Sequence, residues 1–180
     1  LIFSFLFFVV LCIASISFYI ENKEKKKTVL ADSYIEAKIY LENGEINKSK
    51  DILEKIIYSN DSTYSTLALF LMLSENFLQE DKDISKLFDH VLENNKFEKE
   101  IRNLITFKKA LIETKFLNES ELLKTLNPLM NTDTLWKPHA LLLLGDYFFF
   151  KKEYLKANEF YVQILTMKGL HEEIYKQARS

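Results

Sequence analysis

Five residues recur in the same order at one constant offset. Ala37, Tyr40, Ser49, Leu53 and Ile56 map onto Gly145, Phe148, Ala157, Tyr161 and Ile164, each 108 positions further on. The shared order is small, aromatic, small, large apolar, apolar. Two weaker copies lie between, at Glu75, Leu78, Leu87 and Val91 and then at Ala110, Leu122, Leu126 and Leu129, giving steps of 38, 35 and 35 residues. A period in the mid-thirties made of two antiparallel helices marks an α-solenoid, whose units bury their apolar faces only by stacking.

Composition agrees with helices. Only three glycines and two prolines occur in 180 residues, 48% of which are hydrophobic and 14% aromatic; long helices joined by short polar turns follow, and the fold class expected is all-α. Apolar residues spaced three and four apart place helices at 28–43, 46–59, 62–79, 82–95, 97–114, 119–131, 134–151 and 153–167, with another beginning near 170. Turn chemistry separates them. Asn43-Gly44 suits a left-handed helix end, Asn60-Asp61-Ser62 and Asn118-Glu119-Ser120 offer N-caps, and Thr134 is expected to cap the helix with Pro138 in its first turn. Pro128 falls late in its apolar pattern and predicts a kink or split near Asn127.

Residues 1–20, LIFSFLFFVVLCIASISFYI, carry no charge, and twenty helical residues would reach about 30 Å, the thickness of a bilayer core. A transmembrane anchor is expected there, followed by a charged juxtamembrane linker at 21–27, ENKEKKK, and a helical-repeat domain over 28–180. The opening on Leu1 rather than Met predicts a preceding segment. A cleaved signal peptide would need a basic start and a small-x-small cleavage site, and a lipoprotein signal a small residue where Leu11 precedes Cys12. With Cys12 the only cysteine, no intramolecular disulfide or thiolate metal cluster can form. A net charge of −2 with both signs interspersed argues against nucleic acid as a partner.

The spacing of Leu144-Gly145, Phe148, Ala157 and Tyr161 matches the tetratricopeptide pattern, in which small residues let the two helices of a unit approach; Gly145 is expected to admit helix 153–167. Together with the anchor, YIEAKIYLENGEINKSKDILEKII (34–57), IRNLITFKKALIE (101–113) and LNPLMNTDTLWKPHALLLLGDYFFFKKEYLKANEFYVQIL (126–165), the layout resembles the tetratricopeptide-like domain family of the ancillary SecYEG translocon subunit. The resemblance implies an N-terminal transmembrane helix followed by an α-solenoid of about four antiparallel helix pairs. It also implies a bacterial inner-membrane, single-pass protein with its repeat domain in the periplasm. Its partners would be export-channel subunits, periplasmic chaperones or secretory chains, with the membrane met through residues 1–20. The repeat positions are then Ala37, Tyr40, Gly44, Ser49, Leu53, Ala110, Leu144, Gly145, Phe148, Ala157 and Tyr161. Glu75 and Glu113 depart from the pattern, standing where apolar or small residues are usual, so the two central units are degenerate.

Catalytic groups are scattered. His90, His139 and His171 fall in three different predicted helices, no phosphate loop or nucleophile elbow occurs, and acids alternate with lysines as on solvated faces. No catalytic, cofactor or metal residue and no small-molecule substrate is expected. Binding remains, on the concave face formed by the first helix of each pair, where Tyr34, Lys38, Asn76, Lys108 and Asp146 have suitable register. The tract Phe148 to Phe150 is read as packing within its unit. Two functions fit: an adaptor linking the export channel to periplasmic chaperones, and a scaffold in cell-envelope or division-site assembly.

Overall fold

A computed structural model describes residues 2–77 and 81–179, with side chains from 11–77 and 82–179. Leu78, one of the expected repeat positions, lies outside the described residues. Nine helices run through the described chain: α1 Ile2–Glu42, α2 Ile46–Ile57, α3 Ser62–Ser74, α4 Asp81–Asn94, α5 Lys99–Glu113, α6 Glu119–Met130, α7 Lys137–Phe150, α8 Tyr154–Leu165 and α9 Glu172–Arg179. They divide into two units, one ending at Phe77 and the other beginning beyond it. The all-helical class expected from few glycines and a helical period holds.

In the first unit, α1 packs on α2 and α3, and α2 on α3. Leu30 and Ala37 from α1, Leu53, Ile56 and Ile57 from α2 and Ala68, Leu69 and Met72 from α3 are buried. Gly44 ends α1 at φ +76°, where its N–H donates to Leu41 O at 3.0 Å and the Glu45 N–H to Tyr40 O at 2.8 Å. Nothing lies near enough to crowd a side chain at Gly44. The left-handed backbone is what requires glycine there. Asp61 caps α3 by accepting the N–H groups of Thr63 and Tyr64, each at 3.0 Å.

The expected fold, a transmembrane helix at 1–20 leading into a solenoid of four stacked pairs, is corrected. Among the described residues no helix is long and apolar enough to cross a membrane. Side chains 1–10 of the proposed span lie outside the described residues. α1 runs as one helix from Ile2 to Glu42, so Glu21, Lys23 and the lysines after them belong to the same helix as the apolar stretch. The linker at 21–27 is also helical: α1 continues unbroken through it, with Glu21 and Lys25 paired at 2.7 Å. The residues expected to form the four-pair stack over 28–180 fall in two compact units.

In the second unit each helix from α4 to α9 packs on the next, and α7 also meets α5 and α9. Ala110, Leu122, Leu126, Leu129, Ala140, Leu144, Phe148 and Ala157 make one apolar core, and Leu141, Ile164 and Ala178 a smaller one. Asn118 and Glu121 form a capping box that starts α6. Pro128 does not split α6, which runs through it to Met130. So close to the end, a missing N–H removes one helical bond, and the Asn131 N–H to Asn127 O at 3.1 Å still closes the turn. Thr134 does not cap α7 either, because the N-cap is Trp136. The Thr134 hydroxyl instead accepts from Asn103 Nδ2 at 2.8 Å and donates to Glu100 Oε2 at 2.7 Å, fixing the α6–α7 connection to the start of α5.

Glu113, which interrupts the apolar repeat, is buried at the centre of a polar layer. Its carboxylate accepts from the Ser85 hydroxyl of α4 at 2.8 Å and from the Thr125 hydroxyl of α6 at 2.9 Å. Lys109 lies 3.3 Å from it and 2.5 Å from Asp89. Three helices are thus joined through one carboxylate whose lone pairs are met, the condition under which a buried charge is tolerated. Burial lowers the Lys109 pKa, and the bonds and charges of Asp89 and Glu113 outweigh it, leaving it above its ordinary 10.5.

Gly145 is occupied by a ring. A Cβ added there would stand 2.4 Å from Tyr161 Cε1 and 2.7 Å from Cδ1, so glycine makes room for a side chain of α8. Gly145→Ala is expected to lower the unfolding midpoint. Overpacking of roughly 1–3 kcal/mol is set against about 1 kcal/mol gained in helix propensity. In thermal denaturation, Tyr161→Ala in the same chain should remove the penalty, so that the double variant is less destabilised than the sum of the two. Lys109→Met should cost on the order of 3 kcal/mol in urea unfolding at pH 7, since it leaves the buried Glu113 side chain without its cation, and adding Glu113→Gln should recover part of it. Because the folded Lys109 pKa is raised, the ion-pair contribution is whole below 10.5 and is lost as pH rises through the folded value, so the gap to wild type should narrow there.

Candidate functional site

The three phenylalanines at the end of α7 part company. Phe148 is 1% exposed, edge-on to Tyr147 and stacked on Phe160 at 5.6 Å. Phe149 is 52% and Phe150 82% exposed, which corrects the expectation that the whole tract packs inside. A helix turns about 100° per residue, so three consecutive rings cannot share one buried face. Lys152, at φ +63°, then reverses the chain, with its N–H on Phe149 O at 2.9 Å and the Glu153 N–H on Phe148 O at 2.9 Å. That reversal brings Tyr154, 57% exposed, to 5.4 Å from the Phe149 ring and leaves Leu155 86% exposed beside it.

Phe149, Phe150 and Tyr154 border a groove of about 640 Å³ between α7, the face of α8 and the end of α9, lined also by Asp146, Tyr161 and Arg179. Tyr161 forms its floor. The ring fits over Gly145, and its hydroxyl donates to Asp146 Oδ1 at 2.8 Å. Burial first, then the bond to Asp146 and that group's charge, raise the Tyr161 pKa well above the ordinary tyrosine value. Neighbouring lysines are already engaged. Lys156 holds Glu119 at 2.9 Å and Glu153 at 2.8 Å, bonds that push its pKa up, and Lys151 donates to the Tyr147 hydroxyl at 2.5 Å. Among the described residues neither Asp146 nor Arg179 has an ion-pair partner. Four large apolar side chains in water, next to a concavity with one acid and one base, form the kind of surface that protein interfaces use.

Of the residues placed on the concave face by register, Asp146 alone reaches this groove. Tyr34 and Lys38 lie a turn apart on α1, Tyr34 half-buried with its pKa raised by burial and Lys38 exposed. Asn76 sits in the turn after α3 at φ +52°, and Lys108 is exposed on α5. The repeat positions fare more evenly: Ala37, Ser49, Leu53, Ala110, Leu144, Phe148 and Ala157 are all buried, while Tyr40 and Tyr161 are half-buried and Gly44 is an exposed turn residue. His90 stands on α4, His139 on α7, and His171 ahead of α9 rather than within a helix. His139 lies tilted against Trp136 and edge-on to Phe107, with centroids at 5.2 and 5.7 Å. Missed by sequence reasoning were Phe149, Phe150, Tyr154 and Leu155. Their signal was the charged Lys151-Lys152-Glu153 turn, which strands the apolar residues on both sides of it at helix ends.

Comparison with known protein families, with characterised proteins and with solved structures gives no match to this chain. With ¹³C-labelled tyrosine, the Tyr161 Cζ resonance should titrate well above the ordinary tyrosine value. Asp146→Asn should bring it only part of the way down, because burial persists when the charge is removed.

Proposed function

We propose that the protein is a helical adaptor that holds other proteins, and that it seats them at the groove bordered by α7, α8 and α9. The observation that carries this is the joint exposure of Phe149, Phe150 and Tyr154 around a concavity, with exposed Leu155 next in sequence to Tyr154. Aromatic and aliphatic anchors of this size supply most of the energy of protein interfaces. We further propose that the partners belong to protein export: channel subunits, periplasmic chaperones or secretory chains. The support for that second step is the resemblance of residues 34–57, 101–113 and 126–165 to the domain of the translocon's ancillary subunit. The protein works by contact rather than by catalysis.

In-cell crosslinking of the full chain, followed by mass spectrometry of co-purified proteins, tests both steps when run beside the Phe150→Asp/Leu155→Asp variant. Both sites are exposed, so the variant should keep wild-type helical content and thermal midpoint. The wild-type chain should recover export-channel subunits and chaperones, and the variant should lose them at least about tenfold, as loss of an interface anchor implies. Equal recovery by both chains would remove the groove from consideration. Recovery of division or envelope-assembly proteins without the channel would replace export by the scaffold function.

A further inference from the structure

The groove carries a carboxylate that no ion pair among the described residues neutralises. Asp146 is half-buried on α7, and Tyr161 fixes one of its carboxylate oxygens; the other has no donor among the described residues. A carboxylate held this way has lost part of its hydration without gaining a cation, and a cation brought to it forms a charge-assisted bond in a site already oriented. The second charged group of the lining, Arg179, differs. It is exposed at the last residue of α9, so it is better solvated and less positioned.

Spacing adds a second constraint. Phe149 and Phe150 follow Asp146 by three and four residues on the same helix, so the acid and the rings lie about one turn, roughly 5 Å, apart along α7. A ligand whose large apolar side chain rests against Phe149, Phe150 and Tyr154 therefore brings to Asp146 whatever it carries one helical turn away. In a helical peptide that is a residue three or four positions removed. Leu155, next in sequence to Tyr154, adds an 86% exposed apolar side chain outside the groove's lining, and a peptide segment can cover both better than a compact small molecule.

We infer that the groove takes a segment of a partner protein bearing one large apolar side chain with a lysine or arginine one helical turn from it, and that Asp146 reads the basic residue. This rests on the groove being the binding site proposed above. The test separates the two. The full chain is panned with a phage library of random dodecapeptides, with the Phe150→Asp chain as the counter-target, and enriched sequences are synthesised and titrated by fluorescence anisotropy.

Enriched sequences should pair an aromatic or branched aliphatic residue with a basic one three or four positions away. Changing that basic residue to glutamate should weaken binding about tenfold or more. Asp146→Asn should weaken the basic peptide similarly while leaving its alanine counterpart unchanged, the coupling expected of a direct contact. Groove-dependent enrichment without a basic residue, or with Asp146→Asn neutral, overturns this inference and leaves the groove standing. No enrichment over the Phe150→Asp chain overturns the groove as well. A doubling of molar mass by light scattering that Phe150→Asp abolishes would mean that a second copy occupies this face, and would also overturn the proposal.

Discussion

A phenol ring lying over a residue that has no side chain organises the end of this protein. Tyr161 enters the surface of α7 at Gly145 because a Cβ there would fall 2.4 Å from the ring. From that position its hydroxyl reaches Asp146. Both the packing of α7 on α8 and the orientation of the groove's acid depend on this one placement. A glycine in a helix costs about 1 kcal/mol of propensity, and here that cost is offset by a seated aromatic ring and a positioned carboxylate.

The rest of the second unit is held differently. Where the repeat would have a small or apolar residue, α5 has Glu113, and the structure meets it with hydroxyls from α4 and α6 and a lysine from its own helix. Apolar contacts tolerate sliding; a carboxylate with three named partners does not. The irregular position therefore sets the register of α4, α5 and α6 against one another, while the regular positions supply burial.

How far the sequence led can be judged from particular residues. The end of α1 and the starts of α3 and α6 were legible because Gly44, Asp61 and Asn118 carry local chemistry that acts on the backbone next to them, whereas α3, expected to reach 79, ends at Ser74. The repeat at Ala37 and Gly145 located buried positions for the same reason, since burial follows period. Three things were not legible. The end of a membrane-like stretch depends on how far one helix continues, and α1 does not pause at residue 20. The place of Thr134 depends on Asn103 and Glu100, over thirty residues earlier. Phe149 and Phe150 look like core residues by type, and only the turn angle of α7 decides that Phe148 takes the interior alone.

Helix α9 faces two ways. Ala178 and Ile174 rest on Leu141, Ile164 and the residues around them, while Gln177 and Arg179 of the same helix line the groove. That wall is therefore as steady as a few apolar contacts on α7 and α8 make it. A ligand seated against it would strengthen those contacts by mass action, and the amides of α9 would then report on the groove even though they lie outside the aromatic cluster.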